Sequence, residues 1–512
     1  MSHRSFRRFA LRAAFAASLS LGLLLPVAQA GAQTVVGKWV AYSEKLDNGE
    51  ANPFILTLKD DGDNKVSGTL EGLGFSIDVK GTVSGSHFEL ANPWEKDDKP
   101  FLVGDAANGE LHFKFWSPEE RVGKPFTPAD AIKLPEYIAP PAIHPVPYNG
   151  LAKTPPMGWN SWNKYQGKIT DAIVRQMADV MVSSGMRDAG YVYLNIDDTW
   201  EGERDSNGVL QPNHKFPDMK ALADYVHSKG LKFGIYSSPG PRTCGGYPGS
   251  YGHEEIDAKT WAGWGIDFVK YDWCSAAKIY KDSDLQAMYQ KMGAALQASG
   301  RKIIYSLCEY GMGDVGKWGP SVGGNMWRTT GDISDEWKSM EKNGFGQNDW
   351  AQYAAPGHWN DPDMLEIGNG HMTADEYRTH MSLWAILASP LLAGNDLTAM
   401  TPETKSILLN KEVIAIDQDA LGKQGTRLSQ NVDKNGGIDI WTRPLAGGGM
   451  AVGVFNRGGA EAKVSLKASD LKLSGNPKAR DLWAHKDVAF KGGAFEASVP
   501  MHGVLLLKVG AK

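Results

Sequence analysis

Surplus positive charge, cysteine and long apolar runs are all scarce in this sequence of 512 residues. Lysine and arginine total 54 against 59 acids, so nothing suggests the cationic face that a nucleic-acid partner requires. Cysteine occurs only at Cys244, Cys274 and Cys308. None has C-x-x-C spacing, which argues against a structural zinc site, and the odd count allows one disulfide and one leftover thiol. After residue 30 no segment is apolar enough to span a bilayer, so no membrane partner is expected. There is no internal repeat and no low-complexity tail.

The apolar stretch that does exist lies at the start. MSHRSFRRFALR carries four arginines and no acid; AAFAASLSLGLLLPV follows, and then Ala28-Gln29-Ala30. A basic head, a short apolar run and an A-x-A site describe a secretory signal over 1–30, cleaved after Ala30. The run is too short for a spanning anchor, and Arg7-Arg8 hints at twin-arginine export. Losing four arginines takes the formal charge from −5 to about −9. The expectation is an exported chain, periplasmic or extracellular, able to oxidise its cysteines.

Glycine (59) and tryptophan (17) are plentiful. They suit a loop-rich scaffold and a sugar-binding cleft, and equally a large core with many turns. The length allows two to four domains. Residues 35–117 read as a small all-β domain, an antiparallel sandwich or half-barrel. FILTLKDDGDNKVSGTL forms two strands about an Asp-Gly turn, and FSIDVKGTVSGSHFEL alternates apolar and polar positions. Ten prolines between Pro118 and Pro156 exclude regular helix and assign 118–152 to an extended linker.

From 153 to 422 strands alternate with helices. Eight segments read as strands: MGWNSW, YVYLNID, LKFGIYS, DFVKYDW, KIIYSLC, NMWRTT, HWND and SPLLAGN. The clearest helix begins after Thr170 as N-cap, with Ile173, Met177, Val180, Met181 and Ser184 on one face. This pattern predicts a (β/α)8 barrel, an α/β fold whose chemistry sits at the C-terminal strand ends. Residues 423–512 return to antiparallel strands with Gly-rich turns, a C-terminal β-sandwich.

Polar residues gather where such a barrel places its site. Strand one ends in Trp159 and Trp162, strand two in Asp197-Asp198, and strand three supplies Tyr236. Strand four supplies Lys270 and Asp272, strand five ends at Cys308-Glu309, and strand six at Arg328 with Asp332 four residues on. Strand seven leads to Asp361 and Asp363. Carboxylates and cations hydrogen-bond hydroxyls, and rings stack on the apolar face of a sugar. Paired carboxylates also cleave glycosidic bonds, lying about 5–5.5 Å apart for retention and roughly 6.5–9.5 Å apart for inversion. Asp272, two residues from Lys270, is expected to stay ionised and nucleophilic. The acid partner needs a raised pKa, and periodicity does not identify it.

Plainer readings exist for each. Asp197-Asp198 and Asp332 could cap helices, Arg328 could be a strand-end ion pair, Lys270 a surface charge, and Trp159 and Trp162 core. Two other function classes compete. Asp197, Asp198, Asp361 and Asp363 could hold Mg²⁺ or Ca²⁺ in a metal-dependent barrel enzyme, although Lys270 and Arg328 would share that mouth. A non-catalytic carbohydrate-binding protein would use the same residue types.

Several long motifs add a resemblance. TPPMGWNSWN, YLNIDDTW, GIYSSPGPRTCGGYPGSYGHEEIDAKTWAGWGIDFVKYDWC, WRTTGDISDEW and HWNDPDML occur in that order, within a resemblance that covers roughly residues 150–510. They resemble glycoside hydrolase family 27, the retaining α-galactosidases and α-N-acetylgalactosaminidases. The resemblance implies an exo-acting α-galactosidase with Asp272 as nucleophile, Asp332 as acid/base, and no cofactor or metal. It implies Asp197 and Asp198 on the 6- and 4-hydroxyls of galactose, and Lys270 and Arg328 on ring hydroxyls. Trp162 and Tyr236 become pocket walls, Asp363 and Met364 its rim, and Cys244–Cys274 a disulfide beside the nucleophile. Glu309 follows Cys308 as in the galactosidase branch, where the acid suits a free 2-hydroxyl. Tyr310 stands where many relatives have tryptophan. Gly324 occupies the place of a cysteine in the animal branch, which leaves Cys308 a free, buried thiol. The family also contains β-L-arabinopyranosidases, which tend to lengthen one acid of the pair, so Asp197-Asp198 favours galactose. The implied partner is a galactose-containing oligosaccharide or polysaccharide.

Overall fold

The computed structural model describes residues 34–42, 53–72, 75–93, 99–116, 131–433 and 436–510. The signal-like segment 1–30 lies outside the described residues. Two compact units emerge, one built mainly from residues 54–133 and the other from 134–512.

In the first unit eight antiparallel strands close into a barrel: Gly37–Tyr42, Pro53–Gly62, Lys65–Gly72, Phe75–Ser84, His87–Ala91, Leu102–Ala107, Glu110–Phe115 and Ala131–Lys133. Every second side chain points inward, so Leu56, Leu58, Val66, Leu70, Val79 and Val83 are buried. The domain is all-β as expected, but a closed barrel replaces the sandwich or half-barrel read from sequence. The eighth strand, Ala131–Lys133, lies in the stretch read as linker, and it pairs with both Gly37–Tyr42 and Glu110–Phe115. A three-residue strand has too little periodicity to be seen, yet it removes the open edge. The first hairpin turns on Asp63-Asn64, both left-handed (φ 51° and 58°), rather than on Asp61-Gly62. Asp and Asn tolerate that conformation well enough to set the turn.

The second unit starts with the proline-rich stretch. Residues 134–149 form no helix or strand, as the prolines demand. They are docked: the Val146 amide donates to Ser321 O (2.7 Å) and Asn149 Nδ2 donates to Ile303 O (2.9 Å).

Eight parallel strands follow, all within the segments read as strands: Met157–Asn160, Tyr193–Asn195, Lys232–Ser237, Phe268–Asp272, Ile304–Cys308, Met326–Arg328, Trp359–Asp361 and Leu391–Ala393. The first six each pair with the next, and the eighth pairs with the first. The seventh strand is too short to reach the eighth directly. Leu365, just beyond it, makes a parallel bridge to Ala393 and completes the ring. The helix after strand one runs Asp171–Ser183, capped by the Thr170 side chain, which accepts from the Ile173 amide. Its buried face is Val174, Met177, Ala178 and Met181, with Ile173 and Val180 at the edge. The expected stripe was therefore rotated by one residue.

A six-stranded antiparallel sheet and a two-stranded one form the C-terminal sandwich from Thr426 to Val509. Trp441, Phe455, Leu482 and Leu506 join the barrel's own hydrophobic core. Buried Asp439 is held by Arg427 (3.0 Å) and Arg457 (3.1 Å), and Arg457 also pairs with Glu341 of the barrel.

Candidate active site

At the C-terminal ends of the strands a cavity of about 590 Å³ opens. Trp162, Lys270, Arg328, Asp332, Asp363 and Met364 line it, six of the eleven residues expected to act there. A larger hollow, about 890 Å³, lies beneath residues 138–144 against two outer helices. Glu255 is its single lining carboxylate, so size and chemistry point to different places, and chemistry decides. The remaining five residues, Asp197, Asp198, Tyr236, Asp272 and Glu309, are not among its lining and are almost wholly buried.

Asp272 ends strand four at 5% exposure. Burial pushes its carboxyl up to about 6, although Lys270 and a hydrogen bond from Tyr310 oppose the rise. The charge of Lys270 favours the Asp272 carboxylate, as expected, but its hydrogen-bonded ion pair is with another acid. Lys270 Nζ donates to Asp197 Oδ2 at 2.9 Å, because the strand-two carboxylate faces it across the barrel mouth. Asn160 Nδ2 reaches the same oxygen (2.8 Å), and the Asp198 amide donates to Asp197 Oδ1 (3.0 Å). Asp198 accepts from the Thr199 amide (2.7 Å) and the Gly245 amide (2.6 Å). A Cβ at 245 would stand 2.9 Å from that carboxylate, so only glycine lets the backbone approach.

Arg328, buried at the end of strand six, holds Asp332 Oδ1 (3.0 Å) and Asp363 Oδ2 (2.9 Å) with Nη2. Its guanidinium lies over the Tyr310 ring, 5.7 Å from the centroid, and the Tyr310 hydroxyl donates to Asp272 Oδ1 at 2.6 Å. Three contacts thus run from Asp332 through Arg328 and Tyr310 to Asp272. Asp332 is half exposed, its side chain at 52%. Partial desolvation pushes it up, but the charges of Arg328 and Lys270 outweigh this and leave it below the ordinary carboxylate value. These surroundings therefore order the two acids opposite to the sequence expectation. The cation expected to serve Asp272 serves Asp197, and Arg328 serves Asp332.

Cys244 and Cys274 form a disulfide with Cα atoms 4.9 Å apart, joining the loop after strand three to the residue pair after Asp272. Tyr236 OH lies 3.1 Å from Cys274 Sγ. Cys308 is free and buried. Glu309 is fully enclosed. Burial pushes its carboxyl well above the usual value against the opposing backbone amides of Glu309 and Gly311, which favours the neutral acid. Asp361, also buried, is raised to about 7 and accepts from the Asp363 amide.

The four aspartates of the metal alternative do not converge. Among the described residues, the grouping with metal-ligand proximity is Cys244, Asp272 and Cys274, whose sulfurs are joined to each other. Sequence reading missed Glu366 and Asn163, which hydrogen-bond each other in the pocket wall. Burial raises Glu366 to about 8. Its place five residues past Asp361, on the same loop, was the available signal.

Two family models match the chain. One described as α-galactosidase A covers residues 154–419, and one described as the α-galactosidase C-terminal β-sandwich domain covers 435–509. α-Galactosidase 2 of Arabidopsis thaliana is 49% identical over 360 residues, covering 69% of this chain and 89% of that protein. α-Galactosidase I of Mortierella vinacea superposes with a TM-score of 0.68 at 38% identity, over 71% of this chain and 98% of the other. The Saccharomyces cerevisiae α-galactosidase solved with raffinose superposes at 0.67 with 29% identity, over 72% and 100%.

Proposed function

The chain belongs to glycoside hydrolase family 27, and on that premise we propose that Asp272 is the nucleophile and Asp332 the acid/base of its reaction. It is an α-galactosidase, a glycoside hydrolase acting on galactosides with retention of configuration. The three-contact chain from Asp332 through Arg328 and Tyr310 to Asp272 supports the pairing. Asp272 attacks the anomeric carbon while Asp332 gives its proton to the departing oxygen, and a β-galactosyl ester forms on Asp272. Asp332 then takes a proton from water, which attacks the ester and releases α-galactose. A sugar filling the cavity displaces water from half-exposed Asp332, and desolvation raises its pKa toward that of an acid. Once Asp272 is esterified its negative charge is gone. Arg328 and Lys270 then draw Asp332 back toward the anionic base the second step needs.

Asp197 and Asp198 fit the role of charged acceptors for the 6- and 4-hydroxyls. They are buried and held in place, so the equatorial epimer desolvates them without making the charge-assisted hydrogen bond the axial one makes, and selectivity follows from that difference. A glutamate at 309, in place of a small residue, fits a sugar with a free 2-hydroxyl better than a 2-acetamido sugar. The natural substrate we propose is a terminal α-galactosyl unit on an oligosaccharide or polysaccharide. Export fits the Cys244–Cys274 bridge, since disulfides persist in oxidising compartments.

A panel of nitrophenyl glycosides tests this reading. The α-galactoside should be cleaved to α-galactose, seen by NMR before mutarotation, with α-N-acetylgalactosaminide and β-L-arabinopyranoside turned over at least about tenfold less efficiently. Preference for the arabinopyranoside, or an inverted first product, would sink it. Acid sensitivity is a second check. Asp272 must be ionised to attack, so kcat/KM should fall about tenfold per pH unit below about 6, where its carboxyl protonates.

A further inference from the structure

We infer that Tyr310 is a positioning residue for the nucleophile: its hydroxyl fixes one oxygen of Asp272 and favours that carboxylate's ionised form. This rests on the assignment of Asp272 above. Three independent observations carry it.

The first is the hydrogen bond itself, Tyr310 OH to Asp272 Oδ1 at 2.6 Å, the length expected when a hydroxyl donates to a charged oxygen. With Oδ1 engaged, Oδ2 is left to attack. The second is the backbone. Tyr310 is left-handed (φ 59°) and is followed by left-handed Gly311 (φ 82°). Such a conformation is costly for a large side chain and persists only where surrounding structure imposes it. Here it turns the ring away from the line of strand five and toward Asp272. A Cβ at 311 would lie 2.7 Å from Thr329 O, so the pair cannot be shifted along the chain. The third is that the ring is boxed in. Arg328 covers its face, and Cys244 Sγ of the disulfide lies 3.9 Å from its hydroxyl.

A packing role alone would need the ring and not the oxygen. A phenolic hydroxyl this enclosed requires a partner, and the partner it has is the nucleophile. Its effect on titration has a definite sign. A donor favours the charged carboxylate, so it offsets part of the rise that burial imposes on Asp272. The other groups facing Asp272 are Lys270 on its own strand, Asp197 after strand two, Tyr236 on strand three, Tyr289 on the helix Leu285–Ala298, Cys308 and Glu309 at strand five, and Asp332 beyond strand six. None of them is altered when the Tyr310 oxygen is removed.

The test is Tyr310→Phe, with kcat/KM for a nitrophenyl α-galactoside followed across the pH range. The acid limb should move up by about one pH unit. That lowers kcat/KM about tenfold near pH 5 and by less than about twofold above pH 8. Tyr310→Leu, which also lacks the donor, gives the same readout if the phenylalanine variant does not fold. A limb that stays in place in either variant overturns the inference, because a ring that merely packs would not move it. Asp272→Gly with added azide separates this from failure of the underlying assignment. Rescue to β-galactosyl azide upholds Asp272 as nucleophile whatever Tyr310 does. Undiminished activity without azide overturns both.

Discussion

Asp272→Asn should abolish turnover while strengthening the fold. Removing a nucleophile that carries a covalent intermediate lowers kcat by at least about ten-thousandfold. The stability effect has the opposite sign. Asp272 ionises near 3.8 when unfolded and near 6 when folded, so the native state binds its proton more tightly. Stability therefore falls as pH rises between those values, and above about 6 the full penalty applies, at most about 3 kcal/mol. Asparagine keeps an acceptor for Tyr310 and removes the buried charge. Thermal denaturation should show Asp272→Asn more stable than the parent at pH 7, with the gain absent near pH 4. A variant that is inactive and less stable at pH 7 would mean Asp272 matters to the fold rather than to the bond-breaking step.

Asp332→Asn should lose activity in proportion to how badly the leaving group needs a proton. General acid–base catalysis contributes roughly a hundredfold to ten-thousandfold. For raffinose-like sugars, whose leaving oxygen is strongly basic, the whole of that is lost at the first step. A nitrophenolate departs unaided, so its galactoside should form the galactosyl-enzyme readily and then stall for want of a base. Azide, which needs no base, should restore turnover and yield α-galactosyl azide, the anomer opposite to that from Asp272→Gly. Equal losses on both substrates, with no azide effect, would remove Asp332 from the acid/base role. Its half-exposed side chain is consistent with a group that must meet leaving groups and water in turn.

Much of the scaffold could be read directly. The eight barrel strands are apolar runs such as Phe268-Val269 bounded by helices, and a run buried on both faces betrays itself by composition. Six residues expected in the pocket line it, because barrel geometry sends strand ends to one mouth. What stayed hidden was pairing. Lys270 lies two residues from Asp272, and alternation alone suggests partnership, yet the amine reaches across to Asp197. Linear spacing knows neighbours along a strand and nothing of those on the next. Tyr310 was visible as an unusual residue, but its hydrogen bond depends on a left-handed backbone that no periodicity encodes. Glu309 illustrates the reverse. Its type and place suggest contact with a sugar, and the structure encloses it wholly. The closing strand Ala131–Lys133 was lost among prolines, because three residues carry almost no pattern.

The helix Ala374–Leu387 runs between the sandwich and the pocket. On one side Arg443 Nη1 donates to Ala385 O and Trp483 Nε1 to Ser382 Oγ. On the other, Trp384 Nε1 donates to the backbone oxygen of Asp363, which in turn steadies Arg328. The terminal β layer is therefore the barrel's outer buttress rather than an appendage. A minimal catalyst made by trimming it away would leave aromatic surface bare and unbrace the pocket rim at Asp363, so natural shuffling should pass these two layers on together.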